Sequence, residues 1–294
     1  MTIIEIIITA WKLFFYTIIA VVIPVLIGWF IEFNAVDGNA HLAYKIVTGL
    51  VFIVTILASI MCFRGDFTNP TEKKFVYFKF DPYWYKLLRL ATLKGLVQGF
   101  LVTAPAMLIM LLVGKEGALG TAQSIGAIIA AVAMYIIGRN TSPKHRLYVF
   151  GAGLLLFAIA AIINGILYSS FGVILFMLFL LLAKPLLDLA YFPIQFSVID
   201  ILRKKEKRSE FAYILNHEAG LYIGRLTGAG TFLILAYCFS VEIAMRYAIV
   251  IVAILQLASY WVAKDIIKQG KIENIEEAPA LSNEEPGMIA PFTN

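Results

Sequence analysis

Eight apolar runs, each of roughly twenty or more residues, constrain this chain more than anything else in it. Their approximate limits are 9–31, 44–63, 91–113, 118–138, 147–168, 172–201, 212–239 and 243–263. At about 1.5 Å per residue, a helix of that length crosses a hydrocarbon core roughly 30 Å thick. Inside such a core each segment must satisfy its own backbone N–H and C=O groups, so helix is the expected state of every run. The expected fold is an all-α, polytopic integral membrane bundle of about eight helices. Composition points the same way: 61% of the residues are hydrophobic and 15% charged, against about 45–50% and about 25% in ordinary globular chains. The first run is too long for a signal-peptide core and lacks a small-residue cleavage site, so it reads as a spanning helix.

Basic residues separate the loops into two sets. Arg64, Lys73, Lys74, Lys79, Lys86 and Arg89 follow the second run, and Arg139, Lys144 and Arg146 the fourth. Arg203, Lys204, Lys205, Lys207 and Arg208 follow the sixth, and Lys264, Lys268 and Lys271 the last. The alternate loops hold Lys45, Lys115, no basic residue, and Arg246. The positive-inside rule then places both termini in the cytoplasm, and the expected location is a bacterial cytoplasmic membrane. The formal charge of +5 sits in these loops and reads as topology, with the lipid bilayer as partner and no nucleic acid. Four segments are expected: two spanning helices over 1–63, a basic cytoplasmic loop over 64–90, six helices over 91–264, and a disordered cytoplasmic tail over 265–294. Asn69-Pro70 and Asp81-Pro82 read as helix breakers in the loop. The aromatic and basic stretch from Phe75 to Trp84 suits the inner leaflet surface. Trp11, Tyr16, Trp29, Tyr83, Trp84, Tyr85, Tyr260 and Trp261 read as interfacial belts.

The sixth run holds Lys184 and Asp188 one turn apart at a depth where an ionisable group costs at least about 2.5 kcal/mol. Two readings stand. Asp188 is a proton- or cation-coupling carboxylate with Lys184 as counter-charge, or the two form a structural ion pair that only orients the helix. In the seventh run, His217, Glu218 and Arg225 form either a latch at the cytoplasmic gate, with Arg139, Lys144 and Arg146 from the neighbouring loop, or a set of snorkelling side chains. Lys94 and Gln98, a turn apart just inside the cytoplasmic start of the third run, are candidate pathway residues. Asn164 is a weaker one, since such an amide more often bonds one helix to another. Gly95 and Gly99, with Gly220, Gly224 and Gly228, recur every four residues and read as helix-packing faces. The chain has no H-E-x-x-H, G-x-S-x-G or phosphate-binding glycine loop. Its histidines, His41, His145 and His217, are far apart in sequence. No enzyme, metal centre or cofactor is expected.

The turn after the fourth run, Gly138-Arg139-Asn140-Thr141-Ser142-Pro143-Lys144-His145-Arg146, resembles a short basic turn of the major facilitator superfamily, written G-x-x-x-D-R-x-G-R-R. Arg139, Lys144 and Arg146 match its basic positions, and its acidic position has no counterpart. Pro24 and Gly28 are similar to the proline–glycine ending of that family's fifth helix. The resemblance covers nearly the whole chain, as helices five to twelve of twelve. It implies alternating access between two six-helix halves, a small-molecule solute, and a cavity lined by the third helix with Gln98 as a contact. It also implies four further helices outside this chain, from a longer product or a companion membrane chain. The leading expectation is a secondary active transporter, or a fragment of one, coupled to a proton or another cation. The alternative is a non-transporting membrane subunit or scaffold that docks a partner through its glycine-rich helix faces.

Overall fold

The computed structural model describes residues 3–36, 38–65, 76–102, 104–140 and 145–281. Among them it contains ten α-helices and no strand: α1 (Ile3–Val36), α2 (Ala40–Arg64), α3 (Pro82–Leu101), α4 (Ala104–Leu112), α5 (Glu116–Asn140), α6 (Arg146–Leu167), α7 (Ser170–Glu206), α8 (Glu210–Cys238), α9 (Val241–Leu257) and α10 (Ser259–Leu281). Eight segments are long and apolar enough to cross a membrane, with α3–α4 and α9–α10 each making one of them. The chain is an all-α polytopic bundle.

Short polar side chains set the helix starts. Asp81 accepts a hydrogen bond from the Tyr83 N–H at 2.8 Å, and Pro82 follows it at the first helical position. Asp81-Pro82 thus opens a helix rather than breaking one, since proline's missing N–H is an orphan there anyway. Residues 82–90, expected within the cytoplasmic loop, are helical for this reason. Ser169, Ser209 and Ser240 cap α7, α8 and α9 in the same way. Pro105, at the second position of α4, cannot donate to the preceding turn, so the third span is divided there. The last helix runs on to Leu281, past the start expected for a disordered tail. From Lys271 to Glu277 the chain has neither glycine nor proline, and residues such as Lys, Ile and Glu extend a helix already begun. Lys73, Lys74, Lys144 and 282–294 lie outside the described residues.

Two apolar cores are stacked along the bundle. One joins Leu96, Phe100, Leu108, Phe157, Val173, Phe176, Ile249 and Val252, from α3, α4, α6, α7 and α9. The other joins Tyr83, Trp84, Leu87, Phe150, Ile194, Leu202, Tyr213 and Ile266, at the end that carries the α7–α8 loop. Tyr83 and Trp84 are fully buried in this second core with Phe80, so they are not belt or leaflet aromatics; Tyr85 alone of the three stays exposed. Their hydroxyl and indole find partners inside the protein: Tyr83 donates to the Ile266 carbonyl at 3.0 Å and Trp84 to Asn216 at 2.6 Å. That satisfaction makes full burial tolerable.

The α1–α2 hairpin stands apart from the other six spans. It docks on them chiefly through α1 against α5, and α2 packs against α1. Glu32 accepts the Gly117 N–H at 2.8 Å near the start of α5, Trp29 donates to Thr121 at 3.1 Å, and Tyr44 donates to Glu116 at 3.0 Å. Gly28 and Gly120 let the two backbones meet, since a Cβ on Gly120 would strike the Pro24 carbonyl oxygen.

Candidate functional site

The glycine ladders position the site. A Cβ on Gly95 would strike the Leu221 carbonyl oxygen, and one on Gly99 that of Arg225. From the other side, Gly224 lies against Thr92 and Gly228 against Leu96. Four glycines thus press α3 and α8 together at backbone distance, an approach that small residues permit and larger ones prevent. Gly220 sits at the end of the ladder, over the Leu88 side chain. Because the two helices run so close, Gln98 and Arg225 meet: Nε and Nη2 of Arg225 donate to Gln98 Oε1 at 3.1 and 3.0 Å. Nη1 of Arg225 lies 3.8 Å from Glu218 Oε2.

α7 completes the group. Lys94 Nζ is 2.9 Å from Asp188 Oδ1, and the ammonium also lies 3.9 Å above the Tyr191 ring and 4.3 Å from that of Phe192. The Tyr191 hydroxyl and His217 Nε2 are 2.6 Å apart, both groups buried. Lys184 stands one turn before Asp188 on α7, and Glu218 follows His217 on α8. These residues form one polar belt across α3, α7 and α8, at the level where the two apolar cores meet. Lys94 falls between Leu90 of one core and Leu96 of the other, and Asp188 between Ala183 and Ala190. Lys94 lies twelve residues, roughly 18 Å, from the start of α3 and inside the apolar span Pro82–Leu112. The pair is not sealed by the chain: the Lys94 side chain is 15% exposed and that of Asp188 28%.

The belt redraws the expected groupings. Asp188 pairs with Lys94, not with Lys184. The carboxylate faces α3, where it meets a cation already held over two aromatic rings, while Lys184 one turn away is exposed. His217, Glu218 and Arg225 lie with Gln98, Asp188 and Tyr191 rather than with the basic turn after α5. Arg139 is exposed and donates to Tyr135 at 3.5 Å, Arg146 opens α6, and neither α5 nor α6 packs substantially on α8. Asn164 leaves the group altogether. It is fully buried between α6 and α9 and donates to the Met245 carbonyl at 3.4 Å, a helix-to-helix bond.

A second polar cluster lies at the end of the bundle formed by the α7–α8 loop and the segment before α3. Asp81 Oδ2 meets Lys205 at 2.9 Å, and the Asp81 N–H donates to Glu206 at 3.1 Å. Tyr213 donates to Glu206 as well. Arg208 donates to the Lys79 carbonyl at 2.7 Å and lies over the Tyr77 and Phe80 rings. Burial alone would raise the Asp81 carboxyl, but the hydrogen bonds from Lys205 and the Tyr83 N–H outweigh it and hold it below the usual carboxylate range. Sequence reading counted these lysines and arginines as topology signals and missed the acids that clasp them. Asp81 as an N-cap before proline was the available clue. Among the described residues, no three His, Cys, Asp or Glu side chains are grouped to hold a metal ion.

The fold and this site define a class, an integral membrane protein with a charged belt running across three of its helices. No protein-family model, curated protein or solved structure matches the chain.

Proposed function

We propose that this protein is a secondary active transporter of the major-facilitator type, or the larger part of one. It moves a small solute by alternating access and couples that movement to a proton or another cation. Its setting in this reading is a bacterial cytoplasmic membrane with both termini inside. The observation that carries the reading is the Lys94–Asp188 pair. A cation and an anion at hydrocarbon depth mark a pathway more often than a scaffold, because burying them without a use is costly. Protonation of Asp188 would cancel the attraction that holds α3 to α7 at that level, which gives the coupling ion a direct hold on the packing of the helices that line the path. The division into a two-helix hairpin and a six-helix bundle agrees with the layout the resemblance implies. The scaffold alternative has less support, because Gly95, Gly99, Gly224 and Gly228 are already spent between α3 and α8.

The test is uptake into proteoliposomes under an imposed proton or sodium gradient, with D188N as the uncoupled control. Gradient-driven flux that D188N abolishes is expected. A folded, reconstituted chain with no flux, alone or with any membrane chain that co-purifies, would overturn the proposal.

A further inference from the structure

The charges of the belt do not cancel. Lys94, Lys184 and Arg225 supply three positive charges, and Asp188 and Glu218 two negative ones, which leaves one positive charge in excess. Lys94 is matched by Asp188 and by two aromatic rings. Arg225 spends Nε and Nη2 on the Gln98 oxygen and has Glu218 at the edge of ion-pair range. Lys184 makes no ion pair among the described residues and is exposed, and its spacing puts it on the same face of α7 as Asp188 and Tyr191, which hold Lys94. It sits fourteen residues into α7, roughly 21 Å along the helix, still within hydrocarbon depth. Gln98 turns its oxygen to Arg225, so its amide N–H groups remain as donors without a partner among the described residues.

Resting on the transport reading above, we infer that the solute is an oxyanion, a small molecule carrying a carboxylate or phosphate group. Its negative charge neutralises the excess at Lys184 and Arg225, and the Gln98 amide donates to one of its oxygens. A cationic solute would add to an excess already present. A neutral one would leave the excess positive charge of the belt without a counter-ion. Planar amide and guanidinium donors fit the oxygens of an oxyanion better than they fit a spherical halide.

The experiment is thermal unfolding of the purified full chain in nanodiscs of zwitterionic lipid. The probes are inorganic phosphate and a series of linear dicarboxylates, with sodium chloride and putrescine at matched ionic strength as controls. At saturation at least one oxyanion should raise the midpoint by about 5 °C. K184M should lose the shift and K184R should keep it, which separates lost binding from lost folding. Equal shifts with chloride, a shift with putrescine alone, or an undiminished shift in a folded K184M would each overturn the inference. A stabilisation that requires phosphatidylglycerol in the disc and ignores the soluble anions would assign the counter-charge to a lipid headgroup and overturn it too. Oxyanion binding without liposome flux would sink the transport reading while supporting the anion site. Flux confined to neutral or cationic solutes would do the reverse.

Discussion

Lys94 is held by a carboxylate and two ring faces at once, and a double-variant cycle isolates the carboxylate's share. K94M leaves Asp188 in a half-buried site without its cation. Breaking a fully buried pair costs about 3–5 kcal/mol, and partial exposure of this one reduces the expected loss to about 1–3 kcal/mol. The double variant K94M/D188L should recover part of that loss in detergent unfolding, because the stranded charge goes with its partner. If the double variant is as unstable as the sum of the two single ones, the residues do not interact as described. Y191F removes the hydroxyl that meets His217 and should cost about 1 kcal/mol, with the His217 imidazole left without its partner. None of these pairings was legible in the sequence. Spacing along one helix joined Lys184 to Asp188, whereas the partner came from α3, and contacts between distant helices leave no periodic trace along the chain.

At the scale of elements, the glycine ladder is the most exacting feature. G95A and G224A each drive a Cβ into the backbone of the facing helix, where no rotamer change can relieve it. Each should cost about 1–3 kcal/mol and, by parting α3 from α8, loosen the Gln98–Arg225 bond. G49A and G230A, which meet nothing within 4 Å, should be neutral or slightly stabilising because alanine favours helix. Unfolding of the four variants side by side would check the pattern; equal effects would contradict it. This part was legible in advance, because glycines every four residues in an apolar run signal close packing, although the run does not say which helix it will meet. The clasp around Asp81 gives a pH dependence. Its carboxyl is held below the ordinary value of about 3.9, so its stabilising effect is complete above that value and is lost as the pH falls through the folded-state pKa. D81A should therefore lower stability at neutral pH and flatten the acid limb of a stability profile below about pH 4, measured by unfolding across a pH series.

For the whole molecule, eight apolar runs were enough to specify an all-helical membrane bundle, because hydrocarbon allows a spanning segment few alternatives. The same property hid the interior. Leu, Ile and Phe serve equally against lipid and against another helix, so Phe52 on the lipid-facing α2 and Phe176 in the core look alike in sequence. The aromatic first turn of α3 misled for the same reason: Trp84 in a membrane protein reads as a belt residue until its indole is seen to meet Asn216. What distinguishes a transporter from an anchor here is whether the belt of Lys94, Gln98, Lys184, Asp188 and Arg225 is reached by water. Cysteine accessibility tests this most directly. With Cys62 and Cys238 replaced by serine, cysteines at positions 98, 184 and 52 would be exposed in turn to a membrane-impermeant, charged thiol reagent in reconstituted vesicles. The account predicts rapid modification at 98 and 184 and none at 52; silence at all three, or equal reaction at all three, would contradict it.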